Sequence, residues 1–209
     1  MKKIFWIIMG LSVFSLMTFG VFAQENKAAN NEHLEKAVFA GGCFWCMETP
    51  FEKITGVKEV ISGFTGGGTE DPTYREVSSG RTGHCEAVEV IYDPQRVSYS
   101  KLLNIFWHNI DPTDPGGQFN DRGNQYRTEI FYFSEEQKQL AERSKKKLEK
   151  SGVFKKTIVT NITPAATFYP AEDYHQDYYK KNPIQYKFYR FNSGRDQFLD
   201  GIWGKKREH

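Results

Sequence analysis

The segment Gly41-Gly42-Cys43-Phe44-Trp45-Cys46 has residue types and spacing suited to thiol redox chemistry. It follows a short apolar run at residues 36–40 and opens a helix expected over 44–53. Free backbone N–H groups at a helix N-terminus favour negative charge, so a thiolate at Cys43 is expected to form readily there. The two glycines let a reacting atom approach the backbone closely. Cys46 lies one helical turn further on, within reach of a disulfide if the turn relaxes. Two other readings compete. One is a pair of buried cysteines on an apolar helix. The other is a thioredoxin-like C-x-x-C, although there the Trp usually precedes the first Cys and here Trp45 stands between the two. With Cys85 the cysteine count is odd, which argues against a simple disulfide framework. A four-cysteine zinc site lacks ligands, whereas a mixed Cys/His site stays open.

The elements that must position these residues follow from hydrophobic period and turn signals. After the strand at 36–40 and the helix at 44–53, which Pro50 kinks or truly begins, comes a strand at 57–65 ended by Gly66-Gly67-Gly68. A short turn or helix at 73–77 leads to a strand at 86–92. A helix capped by Ser98 or Ser100 then buries Leu102, Leu103, Phe106 and Trp107. A polar loop at 111–125 precedes a strand at 128–133. Ser134-Glu135-Glu136-Gln137 reads as a capping box and Gly152 as the matching C-terminal stop. A strand at 157–162 and a helix at 172–181, stopped by Pro183, complete the pattern. The order implies an α+β two-layer sandwich: a mixed sheet with a ferredoxin-like core, helices over it, and an irregular C-terminal segment. Phe188, Tyr189 and Phe191 are expected to wrap that segment over the core. A doubly wound α/β fold is the alternative.

The 209 residues, 39% apolar and 15% aromatic, suit one globular domain with a packed core and exclude collagen-like, coiled-coil and disordered classes. Lys2 and Lys3 precede an apolar run at 4–21 and then Val21-Phe22-Ala23, a secretory signal expected to be cleaved after Ala23. An uncleaved membrane anchor is the alternative. Residues 24–34 read as a polar linker, leaving 35–209 as the catalytic domain of an exported protein, periplasmic or secreted. Without residues 1–23, which hold two Lys and no acid, basic and acidic residues balance at 26 each. The bulk charge therefore argues for neither nucleic acid nor an anionic membrane as partner. The acidic loop around Asp111, Asp114 and Asp121 lacks calcium-loop spacing, and the glycine run lacks the Lys-Ser/Thr of a phosphate loop.

The chain as a whole resembles the peptide methionine sulfoxide reductases of the A class. The resemblance is carried by Gly42-Cys43-Phe44-Trp45, Pro72-Thr73-Tyr74, Thr82-Gly83-His84-Cys85-Glu86-Ala87-Val88, Asp121-Arg122-Gly123-Asn124-Gln125-Tyr126-Arg127 and Tyr174-His175-Gln176, in order from about residue 34 to 183. It implies that Cys43 attacks the sulfoxide sulfur and that Glu86 protonates the departing oxygen. Tyr74 and Tyr126 would bind that oxygen, and Asp121 would contact the substrate amide or solvent. Phe44 and Trp45 would enclose the S-methyl group. No cysteine follows Cys85, so Cys46 becomes the resolving thiol, with Cys85 next in line. On a strand Cys85 and Glu86 face opposite sides, which reads Cys85 as packing.

The chemistry fits each residue type. A soft anion attacks sulfur, phenol and acid donors meet the oxygen, and a carboxyl in an apolar setting holds its proton. The resemblance implies a monomer that reduces free and peptide-bound methionine S-sulfoxide. It would use no metal, flavin or nicotinamide, only electrons from a thioredoxin-like dithiol. A general thiol–disulfide oxidoreductase and a non-enzymatic sulfoxide-binding module remain the competing functions.

Overall fold

The computed structural model describes residues 33–205; the expected signal segment and nearly all of the linker lie outside them. Strand β1 (Glu35–Gly41) leads into helix α1 (Phe44–Glu52), then β2 (Val57–Thr65), the short helix α2 (Tyr74–Ser78), β3 (Cys85–Tyr92) and α3 (Tyr99–Trp107). A two-residue hairpin, β4 (Gly117–Gln118) with β5 (Asp121–Arg122), and a 3₁₀ turn at Asn124–Tyr126 precede β6 (Thr128–Tyr132). Helix α4 (Glu135–Ser151), strands β7 (Asn161–Pro164) and β8 (Tyr169–Pro170), and helices α5 (Tyr178–Lys181), α6 (Pro183–Asn192) and α7 (Arg195–Trp203) follow.

The main sheet runs β7-β6-β1-β3-β2-β8. Its neighbours pair antiparallel except β6 with β7, so the sheet is mixed, and β6-β1-β3-β2 forms the ferredoxin-like core. Side-chain alternation along the strands separates two buried faces. Ala37, Phe39, Val88, Val90 and Tyr92 meet Phe44, Met47 and Phe51 of α1 and Leu102, Leu103 and Phe106 of α3. Val38, Ala40, Cys85, Ala87 and Phe131 form the opposite face, under Ala165 and Phe168. Phe39 sits at the first centre, stacked 5.2 Å from both Phe51 and Phe106.

Departures from the expected elements have tertiary causes. Val159 N–H donates to the Pro112 carbonyl in the loop before β4, and sheet pairing begins only at Asn161. The helix expected over 172–181 shrinks to α5. Tertiary bonds hold Glu172, Gln176 and Asp177, and Asp177 takes a left-handed φ of 54°. Pro183 stops α5 and also occupies the first turn of α6. The loop at 111–125 contains the β4–β5 hairpin. Ser134 and left-handed Gly152 bound α4 as read, but the Gln137 side chain accepts from Phe133 N–H and donates to the Lys36 carbonyl. The C-terminal segment is helical instead of irregular, and wrapping holds only for Tyr189. Phe188 and Phe191 stay exposed, on the side of α6 opposite its buried Tyr186.

Candidate active site

Cys43 is the N-cap of α1, at the end of the turn that leaves β1. That turn needs glycine at 42. Its φ is +80°, and a Cβ there would stand 2.5 Å from Gln118 Cβ. Two of the amide groups expected to stabilise a Cys43 thiolate are otherwise engaged. Phe44 N–H donates to Glu86 Oε2 at 3.0 Å, and Cys46 N–H to the Cys43 carbonyl at 3.0 Å. Cys43 itself makes no side-chain cap. Burial, then its hydrogen bond to Cys46 and that neighbour's charge, push the Cys43 thiol well above the usual range. Cys46 is lowered to about 6, first by the hydrogen bond from Cys43, which outweighs burial, and then by the charges of Arg195 and Arg190. The mutual hydrogen bond couples the two thiols, and the charges of Arg195 and Arg190 favour one negative charge on the pair.

Glu86 lies on the helix-facing side of β3, opposite Phe64 in the register, and is buried. Burial pushes its carboxyl up to about 8, against the lowering effect of the bond from Phe44 N–H, so it is protonated at neutral pH. Cys85, one residue earlier, points to the other face, where its thiol donates to the Thr65 carbonyl at 3.4 Å. Burial raises it to about 12.

Tyr74 opens α2, where Thr73 and Glu76 form a complete capping box. Tyr126 closes the 3₁₀ turn, and Gln125 Nε2 donates from that turn to the Ser78 carbonyl of α2. Burial raises both phenols, Tyr74 to about 12. Each phenol feels the charges of Glu86 and Cys43, so their hydroxyls converge on the same space. Asp121, on β5, accepts from the Tyr189 hydroxyl and is raised by burial.

Phe44 and Trp45 form an aromatic wall with residues from the far end of the chain. The Phe44 ring lies 5.9 Å from Phe64 and 5.0 Å from His175. Trp45 stacks on Tyr178 at 3.7 Å and donates its indole N–H to His175 Nδ1 at 3.2 Å. Burial lowers His175, keeping it neutral. His84 is structural, bonded to Thr69 and Gly67, and His108 closes α3 against Trp203.

Cys43, Cys46, Phe44, Trp45, Tyr74, Glu86, Asp121 and Tyr126 are therefore brought together. Tyr178, Arg190 and Arg195 join them without having been singled out in the sequence, and Tyr189, read there only as a wrapping aromatic, joins them too. One signal was available: Pro50 has no N–H, so the Cys46 carbonyl loses its helical partner and takes Arg190 Nη1 at 3.3 Å. Among the described residues the one carboxylate cluster spaced for a metal, Glu48, Glu52 and Asp177, is already bonded by Asp177 N–H, Tyr179 and Lys180.

A family model for peptide methionine sulfoxide reductase matches residues 35–207. A curated relative from Halalkalibacterium halodurans, named peptide methionine sulfoxide reductase MsrA, is 59% identical over 174 residues, 83% of this chain and 99% of its own. Among solved structures, methionine sulfoxide reductase A of Corynebacterium diphtheriae is 39% identical with a TM-score of 0.65, covering 72% of this chain and 76% of its own. Reduced Mxr1 from Saccharomyces cerevisiae is 29% identical with a TM-score of 0.68, covering 72% and 87%.

Proposed function

The chain belongs to the peptide methionine sulfoxide reductase family, and from that premise we propose how its residues divide the reaction. The enzyme reduces methionine sulfoxide in proteins with electrons from thiols. Cys43 attacks the sulfoxide sulfur, its proton passing to the Cys46 thiolate. Glu86 donates a proton to the oxygen while the Tyr74 and Tyr126 hydroxyls bind it. The oxygen passes from the substrate sulfur to Cys43 as the S–O bond and the Cys43–sulfur bond formed by the attack both break, so methionine leaves and Cys43 carries the oxygen as a sulfenic acid. Cys46 then attacks the Cys43 sulfur, water departs, and a Cys43–Cys46 disulfide remains for a thioredoxin-like dithiol to reduce. Phe44 and Trp45 hold the methyl group, and Asp121 the substrate amide.

The observation that carries this reading is buried Glu86, its carboxyl protonated at neutral pH and hydrogen-bonded to the amide next to Cys43. Thiol–disulfide exchange has no departing oxygen to protonate, whereas sulfoxide reduction has one. The test is methionine release from separated S and R sulfoxides with dithiothreitol. Turnover of the S epimer alone, lost in Cys43→Ser, is expected; no turnover of either epimer by wild type overturns it.

Residues 1–23 support export, with cleavage after Ala23. N-terminal sequencing that finds Met1 intact in the membrane fraction would refute cleavage.

A further inference from the structure

Arg195 opens α7 with its side chain almost fully enclosed, 1% exposed. Its guanidinium lies among neutral groups. Nη1 donates to the Asn109 carbonyl at 2.6 Å and approaches Met47 Sδ at 3.7 Å. Nη2 donates to the Gly41 carbonyl at 3.0 Å, and the Phe119 ring lies 4.6 Å from Cζ. Nε is buried without a partner. Among the described residues no carboxylate pairs with it; neighbouring Asp196 bonds Arg190 instead. The positive end of the α7 dipole adds to this unfavourable charge.

A buried cation without a counter-ion is costly, and the fold offers few anions to meet it. The charged or titratable groups facing the cysteine pair are Glu86 on β3, Asp121 on β5, Tyr186, Tyr189 and Arg190 on α6, and Arg195 itself, with Tyr74 and Tyr126 at the mouth. Glu86 keeps its proton, Arg190 is neutralised by Asp196, and Asp121, hydrogen-bonded by Tyr189, feels the Arg195 charge without forming an ion pair with it. The other anion that Arg195 favours is the thiolate that Cys43 and Cys46 share. The Gly41 carbonyl that Arg195 holds belongs to the turn presenting that pair.

We propose that Arg195 is the counter-cation of the reduced cysteine pair, and that it thereby makes the oxidised enzyme easier to reduce. Forming the Cys43–Cys46 disulfide removes that anion and leaves the buried guanidinium with one fewer negative charge in reach, which disfavours the oxidised state. When an external dithiol breaks that bond, two electrons enter the pair. One cysteine takes a proton, the other keeps a negative charge facing Arg195, the reductant becomes a disulfide, and its second proton goes to solvent. Arg195 acts through the thiols as a positioning residue, and the inference rests on Cys46 being the resolving cysteine.

The test is a redox titration of wild type, Arg195→Lys and Arg195→Gln at pH 7 in glutathione buffers, with disulfides mapped by mass. Arg195→Gln should lower the equilibrium constant for reduction at least tenfold, about 30 mV towards more negative potential. Arg195→Lys should stay within about threefold of wild type. A constant unchanged in Arg195→Gln, or Lys and Gln shifting alike, overturns the inference. Wild type supplies a second readout should the variants not fold. The stability gap between its reduced and oxidised forms should widen in favour of the reduced form as pH rises from 6 to 9. A gap independent of pH overturns the inference as well. Absence of a Cys43–Cys46 bond in oxidised wild type overturns the resolving role beneath it, whereas its presence with no response to Arg195 overturns the inference alone.

Discussion

Replacing Glu86 by Gln keeps the shape of the side chain and an acceptor for Phe44 N–H but removes the acid. Burial has moved this carboxyl from 4.5 to about 8. The folded protein holds the proton between those pH values while the unfolded chain has released it. Stability therefore falls as pH rises through that window, by roughly 5 kcal/mol once pH exceeds 8. Glutamine has nothing to release. Glu86→Gln should match wild type near pH 4 and exceed it by several kcal/mol near pH 9, as read by urea denaturation across pH. Glu48, raised to about 7 by burial, is present in both proteins and cancels.

The same burial serves the reaction. At pH 7 a carboxyl at about 8 is roughly nine-tenths protonated, against about 0.3% for one left at 4.5, a gain of about 300-fold in the acid form. Removing the acid should lower kcat/KM by about 10²- to 10⁴-fold. Wild-type activity should fall above pH 8 as Glu86 loses its proton, and it should fall below about 6 as the cysteine pair gains one. Glu86→Gln should keep the acidic limb and lose the alkaline one. Methionine release from the S sulfoxide, followed as single turnovers from pH 5 to 9.5, decides the matter. A variant within threefold of wild type, or one whose alkaline limb persists, would refute the reasoning, and so would a variant no more stable than wild type at pH 9.

Three other substitutions probe the remaining roles. Cys46→Ser should release about one methionine per enzyme in a rapid-quench assay and then stop with a thioredoxin-like reductant, since one thiol remains to be oxidised; sustained turnover there would move resolution to Cys85. Cys85→Ala should leave turnover unchanged but cost about 1–2 kcal/mol in urea denaturation, through the lost packing of a fully buried side chain. Gly42→Ala should cost at least about 1–3 kcal/mol, because its φ of +80° and the backing of Gln118 resist a Cβ, and it should slow methionine release by displacing Cys43.

Much of the local architecture is legible in the chain. The bounds of β2 match the reading, those of β1, α1 and β3 lie within a residue or so of it, and α3 takes Ser98 of its two candidate caps, because burial of Phe39, Met47, Val88 and Leu103 follows strand and helix periods. Alternation along β3 correctly turned Glu86 towards the site and Cys85 away from it. Reading failed where partners lie far along the chain. Val159 is claimed by Pro112 before the sheet can pair it, and residues 172–177 by Tyr74, Ser62 and Glu48 before they can form a helix.

By itself, then, the sequence determined the strand–turn–helix that presents Cys43, the short distance to Cys46, and the side of the sheet on which Glu86 stands. These are properties of neighbours in the chain, set by backbone period and glycine geometry. Only the tertiary structure decided where charge is favoured: that Cys43 and Cys46 shift in opposite directions through their mutual hydrogen bond, and that burial raises Glu86 to about 8. It likewise brought Tyr178 onto Trp45, Arg190 to the carbonyl freed by Pro50, and Arg195 beneath the Gly41 turn, across roughly 130 to 154 positions of sequence. Desolvation and Coulomb interactions sum over everything packed around a group, wherever it lies in the chain, and no local pattern of residues encodes that sum.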